Sequence, residues 1–344
     1  MQAVVTLLEA WFKKTARPLP WRKTHDPYSI WISEIMLQQT QVQTVIPYYE
    51  KFLSRFPTLD SLADAPESEV LHLWSGLGYY SRARNLQKGA NYIAHELKGY
   101  FPRSVEEILK VPGIGPYTAG AVLSIAFNKK VPLVDGNVMR VFARYYGIRK
   151  PIEEKKTINL FWKLAQDWVS ASKNARVLNQ ALMELGATIC TKANPLCTLC
   201  PIQADCIAKE KNWTAALPKR RPRKKPVDLF WIKILYEQND KILLSQNPKG
   251  EWWEALWDFP KQEYKSRKEV SFALEELRTK HGPKTVILLN SQKHTVTHHK
   301  LHVYPVVIKK KSNNLLKCGQ YFPREKIEKL PLSALAKKII SSTH

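Results

Sequence analysis

No run of apolar residues in this chain is long enough to span a bilayer. The opening "MQAVVTLLEAWFKK" puts its charges after the apolar part and lacks a small-residue cleavage site. It reads as an amphipathic first helix rather than a signal peptide. No membrane partner is expected, and a cytoplasmic setting is. Acidic residues are scarce: 30 Asp and Glu face 54 Lys and Arg in 344 residues, a formal net charge of +24. That imbalance favours a polyanionic partner, most simply nucleic acid. Cysteine is scarce too, with five in all, so a disulfide-built secreted scaffold is excluded. Internal sequence repeats are absent.

The length allows two domains, each large enough to bury a core. Residues 1–217 read as mostly helical. Asp26 stands where an N-cap belongs and Pro27 at the first helical position. Ala83, Leu86, Ala90, Ile93 and Leu97 recur at helical spacing over 79–97. Ser104 and Glu107 have capping-box spacing, and helical patterning returns over 138–146 and 155–168. Residues 218–226, "PKRRPRKKP", are proline-punctuated and basic, and read as an exposed linker. Residues 227–344 read as a smaller α+β domain. Two strands flank a turn at Asn239-Asp240, a helix ends at Gly282, and "KTVILLN" and "KLHVYPVVIK" read as further strands.

The stretch "VPGIGPYTAGAV", 111–122, has a glycine turn opening onto a helix. A dinucleotide fingerprint needs a third glycine where Thr118 sits and a strand before it. A P-loop needs Gly-Lys-Ser/Thr, which is absent. The remaining reading is a helix–hairpin–helix: "SVEEILK", then a hairpin at Gly113 and Gly115, then a helix from Pro116. Glycines permit positive φ in the turn, and bare N–H groups at the helix start face a phosphate of the DNA backbone. A tight αα-turn that binds nothing is the bland alternative.

Four cysteines are crowded: Cys190, Cys197, Cys200 and Cys206, spaced C-x6-C-x2-C-x5-C. Zinc ribbons want two close pairs far apart. Four thiolates on one short loop, 190–206, suit a [4Fe–4S] cubane, and zinc is the other choice. Cys318 stands alone.

The glycine hairpin, "VDGNVMRV" and the cysteine loop together resemble the endonuclease III superfamily of helix–hairpin–helix DNA glycosylases. "PLPWR", "WISEIMLQQTQV" and "LWSGLGYYSRARNL" narrow the likeness to the adenine DNA glycosylase (MutY) family. The resemblance implies a multi-domain protein, an all-α glycosylase domain with an iron–sulfur loop followed by an α+β Nudix-like domain. It also implies a monomer acting on duplex DNA that holds adenine opposite 8-oxoguanine or guanine. Cleaving the N-glycosidic bond needs a proton for the leaving base and stabilisation of the sugar cation.

Glu34 shares a helical face with Ile30, Trp31 and Leu37, where lost solvation raises a carboxyl pKa. From that neighbourhood alone an acid and a surface ion pair are equally open; the resemblance implies the acid. Asp135 precedes a helix and reads as its N-cap; the resemblance adds a second role, stabilising the sugar cation or adding to it. Asn137 is expected to orient that carboxylate or the water. Tyr117 occupies the place where strand-nicking relatives carry a Schiff-base lysine, which implies a monofunctional enzyme, and it is expected to hydrogen-bond Asp135.

A flipped base is required for such chemistry. The resemblance points to Gln39 and Tyr79 for the vacated space, with Leu37 and Thr40 nearby, and to Arg17 and Arg22 for the adenine and DNA backbone. The sequence alone reads the two arginines as ordinary surface residues. In the last domain the Nudix box is broken: Glu275-Glu276 lack the Arg-Glu ahead of them, so phosphohydrolysis is not expected. The recognition hairpin corresponds to Val296-Thr297-His298, making Thr297 and His298 the candidate contacts there. Val296 stands where the family has an aromatic ring.

Overall fold

The computed structural model describes residues 1–222, 225–309, 319–327 and 330–342. Cys318 lies outside the described residues, as do two residues of the basic linker. The chain divides into two compact units. One combines Met1–Ala65 with Arg84–Pro222, the other Pro66–Ala83 with Arg223–His344.

The first unit is helical. Its central helix, Pro27–Leu37, starts where the Asp26 side chain accepts from Ser29 N at 2.8 Å and Tyr28 N at 3.4 Å. Every residue from Ile30 to Met36 is buried, so this helix is enclosed on all sides rather than amphipathic. The helices Pro116–Ile125 and Ala175–Thr188 are also buried along most of their length.

The hairpin forms where the glycine pattern places it. The Ser104 side chain caps a short helix, Val105–Ile108, by accepting from Glu107 N at 3.2 Å, a one-sided cap rather than the reciprocal capping box that the spacing predicts. Gly113 turns the chain at φ +81°, and a Cβ there would sit 2.8 Å from Asn85 Cβ. Gly115 caps the next helix at φ −97°, ψ 178°, so only one of the two hairpin glycines needs the left-handed region. The periodic stretch over 79–97 also differs in detail. Its helix, Ser81–Asn91, runs into a five-residue π turn, Tyr92–Glu96.

The second unit contains an eight-stranded sheet among the described residues: β1 Val227–Gln238, β2 Lys241–Gln246, β3 Trp257–Asp258, β4 Lys261–Tyr264, β5 Val286–Leu288, β6 Gln292–Val296, β7 His299–Lys309 and β8 Gln320–Pro323. Its main path runs β3-β2-β1-β7-β5, with β4 on β1, β6 on β7 and β8 on β2. The β1–β7 pair is parallel; the other pairs are antiparallel. Asn239 (φ 49°) and Asp240 (φ 56°) make the tight turn between β1 and β2, as two-residue hairpins demand. One sheet face packs Trp231, Leu235, Leu301 and Val303 with the C-terminal helix Ala334–Ser341. The other packs Ile232, Ile234 and Val306 against the helix Arg267–His281. The segment 66–83 belongs to this unit: Tyr80 donates to Leu332 O at 3.1 Å.

Candidate active site

Four helices of the first unit, Pro27–Leu37, Pro116–Ile125, Gly136–Tyr145 and Ala175–Thr188, with the first residue of Val42–Arg55 and the short turn Pro20–Arg22, line a cavity of about 520 Å³. That volume suits a small organic group. Glu34, Tyr117, Asp135, Asn137, Arg22 and Glu184 are among its polar lining. The two carboxylates singled out in the sequence, Glu34 and Asp135, therefore open into one space.

Glu34 is 4% exposed. Burial is the main cause that lifts its carboxyl to about 7. The Tyr117 hydrogen bond and Arg22 pull the other way, and the Asp135 charge adds to the rise. Tyr117 donates from its hydroxyl to Glu34 Oε2 at 2.6 Å, and Met183 Sδ stands 3.4 Å away. This corrects the expected Tyr117–Asp135 bond. The helix Pro116–Ile125 aims the ring at the central helix, whereas Asp135 is occupied by its own helix start.

Asp135 caps Gly136–Tyr145. Its Oδ1 accepts from Val138 N at 2.7 Å and its Oδ2 from Asn137 Nδ2 at 2.8 Å. Burial raises its carboxyl, and these donors together with Arg140 oppose the rise. Asn137 sits against Gly186, where a Cβ would lie 2.6 Å from Asn137 Cβ; no larger residue allows that approach. Arg140 holds the arrangement from behind. Its guanidinium donates to Asn137 Oδ1 at 2.8 Å, Gly186 O at 2.6 Å and Cys190 O at 2.7 Å. A chain of hydrogen bonds therefore joins the cysteine loop to Asp135.

Arg17 and Arg22 are not ordinary surface arginines. Arg17 Nε and Nη2 each donate to Glu184 at 2.7 Å, and Arg22 Nη2 donates to the same carboxylate at 2.8 Å. Burial alone would raise Glu184, but the bonds from Arg17 and Arg22 outweigh it and bring the carboxyl down to about 2. Sequence reading missed Glu184, Arg140 and Met183. A glutamate inside the apolar run "ALMELGA" was the available signal for the first.

Leu37, Gln39 and Thr40 line the same cavity. Gln39 adopts φ 57°, a left-handed conformation that a non-glycine residue seldom takes without a local reason. Tyr79, in the second unit, adopts φ 49° and is 51% exposed, with Arg82 against its ring at 5.6 Å. Thr297 and His298 form the two-residue tip between β6 and β7, where Val296 pairs with His299 and Thr297 takes φ 55°. Glu275 is 70% exposed and pairs with Arg278 at 2.9 Å.

Cys190, Cys197, Cys200 and Cys206 are half-buried, are free of disulfides, and line one small cavity with Arg144, Ile189 and Pro195. Among the described residues no group of three or more His, Cys, Asp or Glu is drawn together to hold a metal ion. Four thiols spread around a common space suit a multi-iron group better than a single tetrahedral ion. Backbone N–H groups bond Cys200 and Cys206. Arg144, 2% exposed, reaches Cys190 Sγ at 3.4 Å and the carbonyls of Thr191, Lys192 and Leu217. The residues fit an anionic iron–sulfur group.

A glycine hairpin opens onto the helix Pro116–Ile125, and that helix lines a cavity with one raised and one capped carboxyl group. Residues 32–167 match the HhH-GPD superfamily of base excision DNA repair proteins, and residues 231–342 match the NUDIX domain. An adenine DNA glycosylase of Buchnera aphidicola from Acyrthosiphon pisum is 40% identical over 301 residues, covering 87% of this chain and 84% of its own. Another, from the Buchnera of Schizaphis graminum, is 35% identical over 340 residues, covering 97% and 96%. The solved structure of a thermostable thymine-DNA glycosylase superposes with a TM-score of 0.55 at 33% identity, covering 60% of this chain and 95% of its own. The chain belongs to the adenine DNA glycosylase family.

Proposed function

We propose that this protein hydrolyses the N-glycosidic bond of adenine mispaired with 8-oxoguanine, or with guanine, in duplex DNA and leaves an abasic site. The observation that carries the reading is Glu34, buried at about 7 in the same cavity as Asp135. Burial raises both carboxyls, but Asp135 has two donors on its oxygens and Arg140 behind it to oppose the rise; two carboxyl groups in unlike surroundings on one cavity suit paired acid and anion roles.

In this reading the protonated Glu34 donates to the leaving adenine, since an adenine anion departs poorly. Asp135, held by Val138 N and Asn137 Nδ2, stays anionic and stabilises the developing sugar cation, directly or by transient addition. Tyr117 offers no amine, so no Schiff base forms and the strand is not nicked. Arg17 and Arg22, fixed by Glu184, flank the extruded base. Leu37, Gln39, Thr40 and Tyr79 hold the opened duplex, and the hairpin at Gly113 and Gly115 grips the backbone through N–H groups. Thr297 and His298 face the base opposite adenine. The four cysteines hold a [4Fe–4S] cluster, which supplies a rigid anchor for residues 190–206. The domain limits proposed are 1–217, 218–226 and 227–344. The enzyme works as a monomer in the cytoplasm, on the chromosome.

A duplex bearing adenine opposite 8-oxoguanine tests this. Strand scission only after alkali is the expected result. Direct scission would show a lyase, and no base release would overturn the assignment. Glu34→Gln should slow base release by about 10²- to 10⁴-fold while duplex binding persists.

A further inference from the structure

Tyr117 has one hydroxyl proton and two acceptors in reach: Glu34 Oε2 at 2.6 Å and Met183 Sδ at 3.4 Å. Met183 lies on the helix Ala175–Thr188, is half-buried, and lines the cavity beside both groups. A hydroxyl can donate to an ionised carboxylate. Facing a protonated one it can accept instead, and it does so at less cost when its own proton has a second acceptor to turn to. A thioether is a weak acceptor, yet it is the one placed there.

We propose that Met183 is a positioning residue for the acid of this site: its sulfur is the alternative acceptor that lets the Tyr117 hydroxyl turn from donating to Glu34 to accepting from it. This rests on the reading of Glu34 as the proton donor. With Glu34 ionised, Tyr117 donates to it and Met183 is a bystander. With Glu34 protonated, the Tyr117 O–H turns toward the sulfur, and its oxygen accepts a hydrogen bond from the carboxyl O–H, which stays on Glu34. The sulfur therefore favours the protonated acid. The other groups that face Glu34 are Asp135 at the start of Gly136–Tyr145 and Arg22 from the turn Pro20–Arg22. Glu184 and Arg17 complete the ionic lining of the cavity. They are common to every variant below, so they set where the midpoint lies and not how it moves between variants.

The test compares pH profiles of single-turnover base release for the cluster-loaded wild type, Met183→Leu and Met183→Gln. Leucine matches the volume and accepts nothing; the glutamine carbonyl accepts more strongly than sulfur. In the wild type the rate should fall as pH rises through about 7. The leucine variant should lose activity at lower pH and the glutamine variant at higher pH. Each midpoint should move by a few tenths of a unit to about one unit, the range that one neutral hydrogen bond spans. A packing role would change rates without moving the two midpoints in opposite directions. Coincident midpoints, or both moving the same way, overturn the inference. If Met183→Gln fails to fold by thermal unfolding, an unmoved midpoint in Met183→Leu overturns it alone, and a lowered one supports it. A wild type whose rate does not fall near pH 7 overturns the acid reading itself, and this inference with it.

Discussion

Glutamine at position 184 keeps the shape of a buried side chain and removes its charge. In the folded protein this carboxylate accepts from Arg17 N, Nε and Nη2 and from Arg22 Nη2. The fall from 4.5 to about 2 is worth ~3 kcal/mol at ~1.4 kcal/mol per pH unit. Arg17 is 36% exposed, and water screens its share, so about 2 kcal/mol is the expected loss in Glu184→Gln at neutral pH. The sign follows from a depressed carboxyl. Its stabilisation is complete above the unfolded value near 4.5 and disappears as pH falls through about 2. Urea unfolding followed by the helical circular-dichroism signal should thus show a gap between wild type and Glu184→Gln that is widest at neutral pH and closes in strong acid. A neutral-pH gap under ~0.5 kcal/mol, typical of exposed ion pairs, or a gap that persists in strong acid, would refute the reasoning.

Tyr117→Phe removes the hydrogen bond that pulls Glu34 down, so its rate should persist to higher pH than wild type, readable in the same single-turnover profiles. Arg140→Ala leaves Asn137 without its anchor and breaks the bonds to Gly186 O and Cys190 O. Base release should slow by about 10²-fold through misplacement of Asp135, with duplex affinity, measured by filter binding, changed far less. Ala255→Gly should stabilise the second unit by up to about 1 kcal/mol, since Ala255 is held at φ 63°, where a Cβ is strained and glycine is not; differential scanning calorimetry would show it.

Much of the local structure was legible. Asp26 and Asp135 cap the helices that their sequence contexts announce, because a cap is a contact between residues two or three apart. The hairpin followed from Gly113 and Pro116 for the same reason, although Gly115 needs no unusual φ. The turn at Asn239-Asp240 was equally plain. Less was visible where packing decides. The strands β3, β4, β6 and β8 are only two to five residues long, too short for a period to show, and the π turn at 92–96 has no sequence signature. Segment 66–83 lies in a helical sequence context yet belongs to the second unit.

The sequence by itself determined the caps, the hairpin and the cysteine spacing, because each rests on residues near one another along the chain; it singled out Glu34 and Asp135 as a pair only through the family resemblance. The tertiary structure decided which groups meet. Tyr117 reaches Glu34 across 83 positions, and Arg17 reaches Glu184 across 167; neither pairing leaves a trace in local spacing. It also decided that the Glu34 carboxyl is lifted to about 7. A carboxyl's proton affinity is set by the water it loses and the charges brought beside it, and both are fixed only when the helices close around it.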